Sequence, residues 1–186
     1  MFVVLGIDPG VSRCGYGCLA GGVGRQATVV AAGVITTPPS DPLPTRLADL
    51  HADLLALVTE LRPDAVAVER VFFQVNARTA MSVGQASGLA LAIAAGAGCE
   101  VVQYTPNEVK QAVAGYGSAS KEQVQRMVQS LLGLAERPKP PDTADALALA
   151  LCHLASAPLR DRIPAPSPAK APALAKAPVR ARAAGR

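Results

Sequence analysis

The sequence predicts an α/β fold built on a mixed five-stranded sheet, three antiparallel strands first and parallel strands after, flanked by helices. Three observations carry that expectation. The first 36 residues hold three β-rich runs joined by turn-length segments. Two short strand-like runs follow, Ala65 to Val68 and Val101 to Tyr104, each preceded by a long helical pattern. The hairpin-type start and the later strand–helix alternation together call for a mixed sheet with helices on its faces.

Phe2 to Asp8 is strand-like and ends at Asp8-Pro9-Gly10, a turn signal. Cys14 to Ala20 and Thr28 to Ile35 are the next strands, and Gly21-Gly22-Val23-Gly24 between them suits a hairpin loop. Thr36 to Pro44 contains Pro38, Pro39, Pro42 and Pro44 and reads as a loop. Thr45 to Leu61 is an amphipathic helix, with Leu47, Leu50, Leu54, Leu57 and Leu61 at spacings of three and four. Arg62-Pro63 ends it. Ala65 to Val68 is a buried strand closed by Glu69. Asn76 to Ala97 is a helix of small residues, and Val101 to Tyr104 is a strand. Pro106 suits the first turn of a helix to Val113. Ser118 or Ser120 can cap a helix from Lys121 to about Leu134. Pro138 to Pro141 is a loop, and Asp142 to Ser156 is a last apolar helix. Residues 1–157 are thus expected to form one domain. Residues 158–186, rich in Pro and Ala with dispersed Lys and Arg, are expected to be a disordered basic tail.

Composition narrows the function classes. Half of the 186 residues are hydrophobic, yet aromatics are only 3% and Trp is absent, so the core is aliphatic. The most apolar stretch, Met81 to Cys99, is interrupted by Ser82, Gln85 and Ser87 and reads as a buried helix rather than a membrane span. No signal peptide is visible, and Cys14, Cys18, Cys99 and Cys152 lack zinc-ligand spacing. The expectation is a cytoplasmic protein with reduced thiols and no membrane partner. The net charge of +4 belongs to the tail: from Leu159 onward seven basic residues accompany one acid, Asp161. The preceding residues hold eleven bases and thirteen acids. Charge alone therefore does not announce a nucleic-acid binder.

Chemistry is suggested by carboxylates at element ends. Asp8 closes the first strand, which a turn-capping role also explains. Glu69 closes a buried strand, where a carboxylate needs a partner or access to solvent. Asp142 and Asp145 lie three apart, on one face at the start of the last helix. Capping and the helix dipole account for each singly, but like charges on one face repel unless a cation bridges them. Four carboxylates around one pocket suit Mg²⁺ or Mn²⁺, and paired ions are a clamp for phosphodiester hydrolysis. No P-loop, G-x-S-x-G or spaced Cys/His pairing offers a rival chemistry.

Five motifs then occur in a set order: Leu5-Gly-Ile-Asp-Pro-Gly10, Val68-Glu-Arg-Val-Phe72, Val109-Lys-Gln111, Gly117-Ser-Ala-Ser-Lys121 and Asp142-Thr-Ala-Asp-Ala-Leu147. Together they resemble the RuvC family of bacterial Holliday-junction resolvases, over most of residues 1–157. The resemblance implies a ribonuclease-H-like fold and a homodimer that resolves four-way DNA junctions by paired symmetric nicks, in recombination and repair. It implies Asp8, Glu69, Asp142 and Asp145 as catalytic ligands of two Mg²⁺ or Mn²⁺ ions, and ends carrying 5′-phosphate and 3′-hydroxyl. Phe72 matches the aromatic that meets unpaired bases, with Phe73 beside it as a second candidate. Lys110 and Lys121 match lysines near the cleaved strand, and Arg78 is a further candidate for phosphate contact. A branch-migration motor of the RuvA and RuvB type is the implied partner. Arg70, Arg78, Lys110 and Lys121 would supply a local positive field. The competing readings are a sugar-kinase or actin-like ATPase, whose second phosphate turn and adenosine motif are missing here, a scaffold without catalysis, and a nuclease acting on RNA or flaps.

Overall fold

The computed structural model describes residues 1–22, 25–70 and 77–160. Phe72, Phe73 and residues 161–186 lie outside the described residues, as does the side chain of Arg78. The elements are β1 (Phe2–Asp8), β2 (Arg13–Gly22), β3 (Arg25–Thr36), α1 (Leu43–Leu61), β4 (Ala65–Glu69), α2 (Ala77–Gly96), β5 (Glu100–Tyr104), α3 (Pro106–Ala114), α4 (Lys121–Leu131) and α5 (Pro141–Arg160). They form one sheet of order β3-β2-β1-β4-β5. β1, β2 and β3 pair antiparallel, whereas β1, β4 and β5 run parallel. The predicted class, element order and strand directions all hold.

Several boundaries moved, each for a local reason. Gly21 and Gly22 belong to β2 rather than to the hairpin loop, and the β2–β3 pairing changes register near them. An irregular register lets a ladder continue through residues that would otherwise turn. α1 starts two residues before Thr45 because Pro44 fits a first helical turn, where its missing N–H was unpaired anyway. α4 ends at Leu131 rather than near Leu134, with Gly133 at φ 62° just beyond. α5 continues through Pro158 to Arg160, past the expected domain end at 157. In a last turn, proline removes a bond from a ladder that is already ending. Of the two serines considered as caps, Ser120 is the one used. The Gln123 N–H donates to Ser120 Oγ at 3.3 Å, and the Ser120 N–H donates to Gln123 Oε1 at 2.7 Å.

Each face of the sheet carries a core. On one side Leu5, Ile7, Val66 and Val68 pack against Leu50, Leu54 and Val58 of α1 and Ala86, Ala90, Ile93 and Ala94 of α2. On the other, Val4, Leu19, Ala65 and Ala67 pack against α3, α4 and α5 through Val109, Val113, Val124, Val128, Leu147 and Cys152. α5 lies directly on β1 and β2. A side chain at Gly6 would collide with the Ala146 carbonyl and stand 2.9 Å from Ala150 N. At Gly15 it would meet the Asp142 carbonyl. The absence of these two Cβ atoms brings the α5 backbone onto the sheet and sets where Asp142 and Asp145 sit. Among the described residues, no helix is long and apolar enough to cross a membrane.

Candidate active site

Parallel pairing of β1 with β4 aligns Ile7 with Val68, so Asp8 and Glu69 finish adjacent strands side by side. That is the carboxyl edge of a parallel sheet, where α/β folds place their ligands. α5 crosses this edge and contributes Asp145. Asp8, Glu69 and Asp145 line one cleft of about 410 Å³. Lys110 of α3 and Lys121, the first residue of α4, line it too, and Pro106, Val109, Val124, Ala148 and Leu149 complete the walls.

Charge is balanced in pairs. Lys121 Nζ lies 2.6 Å from Asp145 Oδ2, and this bond holds the Lys121 ammonium above its ordinary range. Arg13 Nη2 lies 2.8 Å from Asp142 Oδ2, and its hydrogen bond draws the Asp142 carboxyl below the usual carboxylate range. Asp8 and Glu69 share a hydrogen bond, and the Lys121 charge acts on both from beside Asp145. Burial, then the neighbouring charges of Glu69 and Asp145, push Asp8 up to about 8. Burial also raises Glu69. Near neutral pH, Asp8 holds the proton of this pair and donates it to Glu69.

Among the described residues, no three His, Cys, Asp or Glu side chains are gathered into a cluster able to hold a metal ion as they stand. Asp145 and Asp142 are turned to Lys121 and Arg13 instead. The chemistry of the donor set nevertheless fits a hard divalent cation. Three carboxylates converge on one cleft, and burial, then the nearby charges of Glu69 and Asp145, raise Asp8 among them. Burial pushes the Cys14 thiol near this edge up to about 12. It is therefore a packing residue rather than a nucleophile. No disulfide joins the four cysteines.

The structure thus brings together five of the residues singled out from sequence: Asp8, Glu69, Asp145, Lys110 and Lys121. Asp142 stands beside the cleft but outside its lining. Arg70 does not line the cleft either; its Nη2 donates to the Gln103 carbonyl at 3.4 Å. Arg13 was missed. The available signal was a base three residues after Asp8-Pro9-Gly10, where the next strand begins.

The family model for crossover junction endodeoxyribonuclease RuvC matches residues 4–153. The chain belongs to the RuvC family. It is 54% identical over 162 residues to the RuvC of Salinispora arenicola, a match spanning 87% of this chain and 93% of that one. It is 51% identical over 160 residues to the RuvC of Moorella thermoacetica, spanning 86% and 95% respectively. The structure superposes on Thermus thermophilus RuvC in complex with a Holliday-junction substrate with a TM-score of 0.81. That match has 42% identity over 86% of this chain and 97% of the RuvC chain. The yeast mitochondrial Holliday-junction resolvase Ydc2 shares the fold with a TM-score of 0.62 at 16% identity. The ribonuclease-H-like architecture expected from the motifs is the one these RuvC structures share.

Proposed function

We infer that this chain resolves four-way DNA junctions, as a crossover junction endodeoxyribonuclease of the RuvC family. The observation that carries this reading is the convergence of Asp8, Glu69 and Asp145 with Lys121 in one cleft at the carboxyl edge of the sheet. Dependence on divalent metal goes with the family. The finer proposal is that Asp8, Glu69, Asp142 and Asp145 hold two Mg²⁺ or Mn²⁺ ions. Bound there, such cations would supply Lewis-acid activation of water and stabilisation of charge on the leaving oxygen.

The chain's own residues supply the rest. Asp8 would have to be ionised to hold a cation, as a ligand carboxylate must be. Lys121 and Lys110 offer positive charge to the phosphate entering the cleft. Asp145 and Lys121 orient one another before substrate binds. Two copies acting on one junction account for paired, symmetric nicks that leave 5′-phosphate and 3′-hydroxyl ends. Phe72, with Phe73 beside it, is proposed to stack on unpaired bases at the crossover, and Arg78 to touch phosphate. A RuvA- and RuvB-type motor in the cytoplasm is the proposed setting.

The test uses a labelled synthetic four-way junction, a matched linear duplex and an RNA–DNA hybrid, each with Mg²⁺, Mn²⁺ or EDTA. Paired nicks on the junction alone, abolished by EDTA, are expected. Binding without cleavage in either metal would leave a scaffold, and cleavage of the hybrid would make the protein a ribonuclease.

A further inference from the structure

Arg13 opens β2, five residues beyond Asp8. Its Nε and Nη2 both donate to a single oxygen, Asp142 Oδ2, at 3.2 and 2.8 Å. Both partners stand on backbone held elsewhere. On the Arg13 side, the Thr37 hydroxyl donates to the Val11 carbonyl at 2.6 Å. Arg46, in the first turn of α1, donates Nε to Thr37 Oγ1 at 3.0 Å and Nη2 to Ser12 Oγ. The turn that leads into Arg13 is therefore tied to α1 and to the end of β3. On the Asp142 side, the close approach of the Asp142 carbonyl to Gly15 seats the start of α5 on β2. The side chains themselves are free to rearrange, being 48% and 26% exposed.

A carboxylate oxygen that accepts two guanidinium donors cannot also face a divalent cation closely. The two positive groups would repel, and arginine does not escape by losing its proton. A cation sharing Oδ2 must move Arg13 aside, and one approaching Oδ1 still meets the guanidinium charge a few ångströms away. We propose that Arg13 is a resident counter-ion of Asp142 that exchanges with the incoming cation, and that the released guanidinium then contacts a phosphate of the strand to be cut. This rests on Asp142 being a cation ligand. The guanidinium fork suits a phosphate as well as a carboxylate, so one side chain can serve both partners in turn. Arg13 is thus a positioning residue for Asp142 before the cation binds and a DNA contact afterwards. Cation binding and phosphate capture become linked through it.

The experiment titrates Mn²⁺ into the full-length, EDTA-stripped protein without DNA, by calorimetry and by the paramagnetic resonance of free Mn²⁺. Arg13→Gln is expected to bind Mn²⁺ roughly 3–10-fold more tightly than the parent, as removal of a half-exposed competing ion pair allows. Arg13→Lys is expected to stay within about twofold of the parent, because it keeps a competing charge. Asp142→Asn is expected to lose one Mn²⁺. If Asp142→Asn binds Mn²⁺ like the parent, Asp142 is no ligand and the reading beneath the proposal fails with it. If Asp142→Asn loses the ion while Arg13→Gln binds no more tightly than the parent, the exchange alone is overturned. Junction affinity is then read by anisotropy in an Asp145→Asn background, with and without Mn²⁺. Arg13→Gln is expected to lose several-fold of the Mn²⁺-dependent gain, and an undiminished gain overturns the phosphate contact.

Discussion

Lys121 Nζ stands 2.6 Å from Asp145 Oδ2, joining the first residue of α4 to the start of α5 across the acid-lined cleft. An ammonium at a helix N-terminus opposes the helix dipole. The side chain is 63% exposed, so the pair adds little stability. Its position is better explained by what it faces than by what it holds together. Lys121→Met should therefore lower the cleavage rate by roughly 10–100-fold, the loss of one preorganised charge. Its melting temperature should stay near that of the parent. A loss of more than about 2 kcal/mol in denaturant unfolding would make Lys121 structural instead.

Asp145→Asn keeps the shape of the side chain and removes a charge from the cleft. Junction binding, read by gel shift, should change by less than about threefold, while cleavage should fall by roughly 10³-fold, as removal of a metal-binding charge would produce. Loss of binding and cleavage together would contradict the assignment.

Asp8 makes the stability of the protein depend on pH in EDTA. Its carboxyl is raised to about 8 in the folded state from an ordinary 3.8. The folded state thus keeps a proton that the unfolded chain releases. This contribution to stability is fully present below pH 3.8 and is lost as pH rises to about 8. Asp8→Asn should flatten the slope and be more stable than the parent at pH 8 by about 1–3 kcal/mol, less than the full linkage value because the proton is shared with Glu69. Melting curves from pH 5 to 9 read this directly, and an equal slope in both proteins would refute it. With Mg²⁺ added, the parent's slope should shrink, because ligation takes the ionised form.

Gly6→Ala tests how α5 reaches the site. The new Cβ would meet the Ala146 carbonyl and the Ala150 nitrogen, both backbone atoms, which cannot swing aside. A loss of about 3 kcal/mol or more is expected in urea unfolding, with cleavage reduced because Asp145 moves with α5. Full activity in a stable variant would show that the helix does not need this close seat.

Phe72→Ala should weaken junction distortion, read by the fluorescence of a base analogue at the crossover, while Mn²⁺ affinity stays unchanged. A stacked base is worth about 1–3 kcal/mol. Unchanged cleavage would assign Phe72 to packing.

Much of this protein was legible residue by residue. The leucine spacing of 47–61, Pro106 in the first turn of α3, Ser120 as one of two candidate caps, and the strand-ending Asp8 and Glu69 are local signals, and the structure keeps them all. Such features are set by neighbours within a few positions, through backbone preference, side-chain period and end-group hydrogen bonds. The choice of Ser120 over Ser118 has a local mark too, because Gln123 stands three residues after Ser120 to complete the reciprocal cap, whereas Lys121 stands three after Ser118.

From its sequence alone, this chain's element order, its strand directions and its four candidate acids followed. Tertiary structure alone decided what state those acids are in. Placing β4 beside β1 made Asp8 and Glu69 neighbours that share a proton. Seating α5 on glycines 6 and 15 put Asp145 against Lys121 and Asp142 against Arg13. Each partner is distant along the chain, so no local pattern encodes the pairing. Ionisation depends on burial and on charges a few ångströms away, and both exist only once the sheet and its helices have packed.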